Sequence, residues 1–559
     1  MAVRPSGGTA FRNKAYFYSK SYLFQIQFDI IYLFMSKIYP FQGDILDLFF
    51  IPLKTRVLLT KILFQVIIPV DFFGRWSVFA MEYASGWDFT LANYGAVWAF
   101  LVQMGLLLLF LMLGNICRRT IPLFRRCLVP SALLGGGLLL VMDLICEQFG
   151  FKPVDNRLMQ VITYHCLAIG FAAMSLKTEK SNHKTSKSQV VEFGALQGGT
   201  YMLQAGVGLA VTLIMFLLTK DGKNPISYIC GLILPLAYGQ GPGNALSWDI
   251  NFTNTPAAQF TGNGSFGLSL ASIGFVVASV FGILYINIYQ KRGTLSVRKG
   301  CVADSFVDQT NPSGQEIPDN ESVDKSTIQA GFVALAYALS FGFMCLLGVL
   351  SDFTNSIAWG FNFLWASLSA MLIRFVVKLL RKYNLMHREY INNYQMDRIS
   401  GFSFDLMIVA GVSAIQIKDI KDYIFPIVVL SLLGTIITYV YIRKVAKECF
   451  KGFEHEFFLM SFGTLTGTAS NGMILMKEID PGLRTPTSSL YILSNFPAMV
   501  MIAPLLLLLG FAGKSLENAV TACGIFLVLW SAYTVYLFRR RIFKKRYANR
   551  PVTVWQEET

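Results

Sequence analysis

The chain has 559 residues, of which 54% are hydrophobic and only 14% charged, against roughly 25% charged in soluble domains. Its uncharged runs approach the roughly 20 residues a spanning helix needs, which excludes a soluble globular protein and predicts an all-α polytopic membrane protein. A formal charge of +15 would suggest nucleic acid as the partner of a soluble chain. Here the basic residues fall in short loops, where they set topology, so the expected partner is the lipid bilayer and not a nucleic acid.

Residues 1–80 fit poorly. They carry nine Lys+Arg, and charges such as Lys37, Asp44, Lys54, Lys61 and Asp71 interrupt every apolar run before 18 residues. They also lack the layout of a signal peptide, so the functional chain is expected to start at Met81. Spans are expected at 93–114, 127–146, 158–176, 193–219, 266–290, 326–351, 353–373, 400–417, 423–442, 487–511 and 518–538; the second and the eighth each contain one acid, Asp143 and Asp405.

Two further apolar stretches, near 226–262 and 457–476, are interrupted by Ala237 to Asn244 (AYGQGPGN) and by Ser461 to Asn471 (SFGTLTGTASN). Backbone that leaves a helix at membrane depth has to be buried in protein or line a cavity. If both segments enter and return on one side, the loops on the cytoplasmic face hold 32 Lys+Arg and the opposite loops seven, as the positive-inside rule requires.

The second half repeats the first at offsets of 223 to 233 residues, with Gly239 matched by Gly463. Five crossings per copy is an odd number, so the second copy is inverted. The expected organisation is a first repeat over 81–290, a cytoplasmic linker over 291–325, a second inverted repeat over 326–511, and an extra helix with a basic tail over 512–559. Inverted repeats place a substrate site near the midplane between two broken elements.

The residue types at the breaks suit that role. Gly239, Gly241 and Gly243 allow positive φ and close backbone approach, and Pro242 stops helix continuation. Amides exposed after Gly243, flanked by Gln240 and Asn244, can hold a carboxylate. Oxygens near Thr464, Thr466, Thr468 and Ser470 can replace water around sodium, with Thr466 and Thr468 the nearest candidates. Asn471, Asp480 and Arg484 follow the second break. The competing view is that the glycines serve helix packing alone. On the tip argument, Gly243→Val should block transport and leave folding nearly intact.

Gln204 must find a hydrogen bond inside the long span 193–219, either to a neighbouring helix beside Gly194, Gly198, Gly199, Gly206 and Gly208 or to a substrate. His165 is read either as a proton relay or, in preference, as a lone histidine facing a neighbouring helix. Asp405, Arg374 and Lys378 are expected near cytoplasmic span ends, where snorkelling accounts for them. The nine cysteines and four histidines show no metal or disulfide spacing. His455-Glu456-Phe457-Phe458-Leu459 lacks the second histidine of a zinc motif, and no phosphate-binding Gly-rich loop ending in Lys-Ser/Thr occurs. No enzyme activity and no resident cofactor are expected.

From about Leu91 to Leu509 the chain resembles the bacterial sodium/glutamate symporter family. The resemblance runs through Thr120-Ile121-Pro122, Leu134-Gly135-Gly136-Gly137, Gln204-Ala205-Gly206-Val207-Gly208, the first tip ending in Trp248, Ile317-Pro318-Asp319, and Phe462-Gly463 with Thr466 and Thr468. It implies two inverted five-helix units with re-entrant loops, a homodimer, sodium as coupling ion, glutamate or a related small carboxylate as substrate, elevator-like movement and residence in the inner (cytoplasmic) membrane. The family's Gly-Gly-His-Gly-Thr stands here as Gln240-Gly241-Pro242-Gly243-Asn244, and Gly467 replaces the proline of its Ala-Thr-Pro-Thr. A proton- or exchange-coupled transporter of a dicarboxylate or another amino acid is the alternative of the same class. A channel or a transport-dead membrane sensor is the alternative of another class.

Overall fold

The computed structural model describes residues 94–149, 152–177, 186–222, 226–295, 324–350, 355, 358–386, 388–481 and 484–542. The extension 1–80 with the Met81 start, most of the 291–325 linker and the tail after residue 542 lie outside them. By backbone contacts the chain divides into Met1–Val97 and Trp98–Thr559. The elements below belong to the second unit, apart from the first turn of α1.

Among the described residues every regular element is helical. In chain order the helices are α1 Tyr94–Thr120, α2 Ser131–Gln148, α3 Asn156–Leu176, α4 Lys187–Thr219, α5 Ile233–Gly239, α6 Pro242–Thr253 and α7 Ser265–Lys291. There follow α8 Lys325–Leu350, α9 Asn362–Lys382, α10 Asn393–Ser413, α11 Ile424–Cys449, α12 Glu454–Thr466, α13 Ala469–Lys477, α14 Thr487–Ala512 and α15 Leu516–Leu537. Among the described residues nine helices are long and apolar enough to cross a membrane, ten if α14, bent by 50° between Asn495 and Pro497, counts as one. This is an all-α protein of the multi-pass membrane type.

Two spans start seven or more residues away from their sequence expectation. The helix expected at 353–373 is α9, which starts at Asn362 and runs to Lys382, so Arg374 and Lys378 stand within it and the Arg374 guanidinium reaches the Lys177 carbonyl oxygen at 2.7 Å. The helix expected at 400–417 is α10. It begins at Asn393, where the Asn392 side chain accepts from the Gln395 amide, and Asp405 therefore lies in its middle and not near its end. Asp155 caps α3 in the same way, accepting from the Arg157 and Leu158 amides, whereas the start of α9 has no side-chain cap.

Buried apolar side chains form three clusters. One joins α4, α5, α6, α7, α11, α12, α14 and α15. The others join α1, α2, α3 and α10, with Leu246, Leu268 and Phe275 from α6 and α7, and α3, α8, α9 and α10. The first three helices of each half thus pack with one another, and the later elements of each half with one another.

At the centre of the larger cluster is α4, 33 residues long. Its glycines are packing residues: a Cβ on Gly194 would lie 2.9 Å from the Ala498 nitrogen, one on Gly198 2.9 Å from Met501 Cβ, and one on Gly208 2.5 Å from the Gly231 oxygen. The packing view of these glycines therefore holds for α4. Conversely, a Cβ on Gly231 would lie 2.0 Å from the Gly208 oxygen, contact between two main chains that no rotamer change relieves. Overpacking of this kind costs about 1–3 kcal/mol or more. Gly231→Val is expected to lower the melting temperature of the detergent-solubilised protein by several degrees, whereas Gly105→Val, at a position with open space around it, should leave it unchanged.

Candidate functional site

Each half contains one helix that stops and restarts. In the first, α5 ends at Gly239 and α6 begins at Pro242, with Gly241 between them at φ 84°, ψ −177°. That combination is open to glycine and costs other residues about 1–3 kcal/mol. Proline at the first helical position loses no bond, because the first-turn amides have no intrahelical partner. In the second half, α12 ends at Thr466 and α13 begins at Ala469, capped by Thr468, whose hydroxyl oxygen accepts from the Asn471 amide at 3.5 Å.

The two breaks meet. A Cβ on Gly241 would lie 3.6 Å from Thr468 Cγ2, and α5 packs against α12. Gln204 of α4 reaches across to the second break: its Nε2 donates to the Leu465 carbonyl oxygen at 3.1 Å and to Thr438 Oγ1 of α11 at 2.8 Å. It makes both the interhelical bond and the contact to a broken helix. On the first break the Tyr201 hydroxyl donates to the Gly239 carbonyl oxygen at 2.7 Å, satisfying one carbonyl at the end of α5. The Tyr238 hydroxyl ties α5 to α11 through the Ser431 oxygen at 2.9 Å.

The two restarts are alike residue by residue. Gly241 and Thr468 are the caps, and Asn244 and Asn471 are each the third residue of the helix that follows. Asn244 is fully buried; its Nδ2 donates to Gln240 Oε1 at 2.7 Å, and its Oδ1 has no partner. Asn471 is 4% exposed and its Nδ2 has no partner; Gln204 is fully buried and its Oε1 has none. Three unpaired amide atoms therefore surround the breaks, where each would normally cost about 1–3 kcal/mol. The side chains placed there are all neutral. Charge is supplied by the helices: α6 and α13 turn N-termini toward the break, while α5 and α12 turn C-termini toward it.

The remaining expected residues lie at different depths. The Thr466 hydroxyl is buried and donates to the Phe462 oxygen at 2.6 Å. The Thr464 hydroxyl donates to Met460 and packs where a Cβ on Gly472 would come within 2.5 Å of it, so it helps join α12 to α13. Ser470 is exposed. A Cβ on Gly243 would lie 2.8 Å from Leu167 Cβ on α3; valine there would disturb helix packing, contrary to the expectation of an intact fold. His165 bonds the Tyr337 hydroxyl of α8, as a histidine facing a neighbouring helix should.

Two buried carboxylates steady the broken elements. Asp249 of α6, fully buried, accepts from the Gly264 and Gly267 amides at 2.8 and 2.7 Å, closing α6 onto the start of α7. Asp480, after α13, accepts from the Arg484 and Thr485 amides at 3.0 and 2.9 Å just before α14. Trp248 anchors α6 to the start of α9, with its ring 5.0 Å from Phe361. Asp249 and Tyr201 carry no sequence motif; the only signal for each is a polar group in an apolar run, which requires a partner.

Compared with known proteins, the chain matches no family model and no curated sequence.

Gly241→Ala tests the first break through its backbone alone, because the added methyl has room beside Thr468 and Met407. The expected outcome is a loss of about 1–3 kcal/mol in local stability, seen as faster amide hydrogen exchange over 238–248 with little change in the melting temperature of the whole chain.

Proposed function

We propose that the chain is a secondary active transporter of a small carboxylate, with glutamate the leading substrate and sodium the coupling ion, acting by alternating access. The observation that carries this is the meeting of two broken helices, where Asn244 and Asn471 of the restarts and Gln204 of α4 are buried with amide atoms unpaired. Inward-facing helix N-termini suit a carboxylate, and C-terminal helix ends with neutral oxygens suit a cation. Thr466 and the unpaired oxygens of Gln204 and Asn244 have the donor chemistry sodium takes. No catalytic or pumping role is needed for such a site.

The element order supports a duplicated, inverted architecture. Four helices, a broken element and a further helix occur in α1 to α7 and again in α8 to α14. Packing follows the same exchange: α2 packs on α10 as α9 packs on α3, α4 packs on α5 as α11 packs on α12, and α3 with α10, α4 with α11 and α5 with α12 pair across the halves. The separation of apolar clusters into early and late helices of each half suits movement of one bundle past the other. Homodimer formation and residence in the inner membrane belong to the same proposal.

The test is labelled L-glutamate uptake into proteoliposomes under an inward sodium gradient, then with potassium in place of sodium. Saturable, sodium-dependent uptake is expected. Asn471→Ala and Asn244→Ala should each reduce kcat/KM at least tenfold, roughly 1.4 kcal/mol, in protein with a normal elution profile. Current without saturation would indicate a channel instead, and uptake of another carboxylate would change the substrate but not the class.

A further inference from the structure

A cavity of about 470 Å³ lies between α3 and α6, within the size range of small-molecule sites. Leu246, Ser247, Ile250 and Thr253 form one wall, a single face of α6 running from its last turn to within one turn of Asn244. The Ser247 hydroxyl donates to the Gly243 carbonyl oxygen at 2.8 Å. The inner end of the cavity is therefore bonded to the first turn of α6, the turn that opens on the break.

The opposite wall is α3, with Arg157 and Gln160. Arg157 is the one lining residue with a permanent charge, and no carboxylate lines the cavity. Its guanidinium pairs with no carboxylate among the described residues. The nearest acid in sequence, Asp155, is engaged in capping α3. The rest of the polar lining includes neutral amides, among them Asn263 and Gln416. This end of the helices also carries few cations, seven Lys+Arg against 32 in the loops at the other end, so topology does not account for an arginine here.

We infer that this cavity is the outer vestibule of the break and that it selects small anions, with Arg157 capturing the carboxylate before it moves along α6. Its role in uptake rests on the transporter proposal; its selectivity is a property of the cavity alone. A lone cation in a concave wall raises the local concentration of anions and loses that effect as salt rises.

Ser247→Cys in the full chain, reconstituted in vesicles, reports on it through modification by anionic and cationic methanethiosulfonates added to the face opposite the basic loops. The rate at the unsubstituted chain's own cysteines is subtracted, and the two rates are normalised to those of a free thiol. The anionic reagent is expected to be favoured several-fold, a preference that Arg157→Gln abolishes and Arg157→Lys retains. Asn254→Cys, at the mouth, gives the same reading if Ser247→Cys does not fold. In uptake, Arg157→Gln should raise KM for the carboxylate several-fold with kcat unchanged. No reaction with either reagent at both positions, or a preference indifferent to Arg157, overturns the vestibule even if uptake is found. An Arg157-dependent preference without carboxylate uptake leaves the vestibule standing and removes the transporter proposal.

Discussion

Everything at the centre of this molecule follows from the need to satisfy main-chain polar groups where water is absent. A helix that stops inside a bilayer exposes up to four amides or carbonyls at each end, and hydrocarbon offers them nothing. Here the solution is mutual burial: the end of α5 takes a hydroxyl from Tyr201, the end of α12 takes an amide from Gln204, and the two restarts face each other. The long helix α4 supplies both donors, and its glycines let it approach the neighbours closely enough to do so. The glycine-rich face of α4 and the polar break are thus one arrangement.

Much of this was legible in the sequence because it is local chemistry. Gly241-Pro242-Gly243 and Gly467-Thr468 interrupt apolar runs with residues that cannot continue a helix or that cap a new one, and the structure breaks at both places. The boundaries of α9 and α10 were less legible. Hydropathy places α10 at 400–417, whereas the Asn392 cap starts it seven residues earlier, at Asn393; α9, whose start has no side-chain cap, begins at Asn362, nine residues later than expected. Asp249 was not legible at all, because nothing near it in sequence indicates that its two oxygens close on amides of the next helix. Thr464 and Thr466 differ by about half a helical turn, so the Thr464 hydroxyl stands against Gly472 of α13 while the Thr466 hydroxyl is spent on the Phe462 oxygen of its own helix.

Asp249 and Asp480 show how a broken element can be firm without being continuous. Each is fully buried, and each takes two main-chain amides near the start of the helix that follows its tip, α7 for Asp249 and α14 for Asp480. The main-chain bonds give the carboxyl oxygens and the amides partners that the apolar surroundings do not offer. Removing either carboxyl would leave two main-chain amides buried without their partner, at roughly 1–3 kcal/mol each. The tips α6 and α13 are therefore anchored at their far ends, and what freedom they have is at the breaks themselves.

On the transporter proposal, a site built this way would also answer how an anion is bound within a membrane and still leaves. A full ion pair buried with it would be hard to form and hard to break, since each charge has to be stripped of water and both must be matched. Partial charges at two helix N-termini, with neutral amides around them, supply a field fixed by the backbone and need no counter-charge to reorganise. Arg157, the one permanently charged residue among those lining the cavity, stands at its wall and not at the breaks, where on the same proposal it would attract without trapping. The unpaired atoms of Asn244, Asn471 and Gln204 fit the same logic: a polar group kept unsatisfied in the empty protein is stabilised when a ligand enters, and that gain offsets the water the ligand gives up.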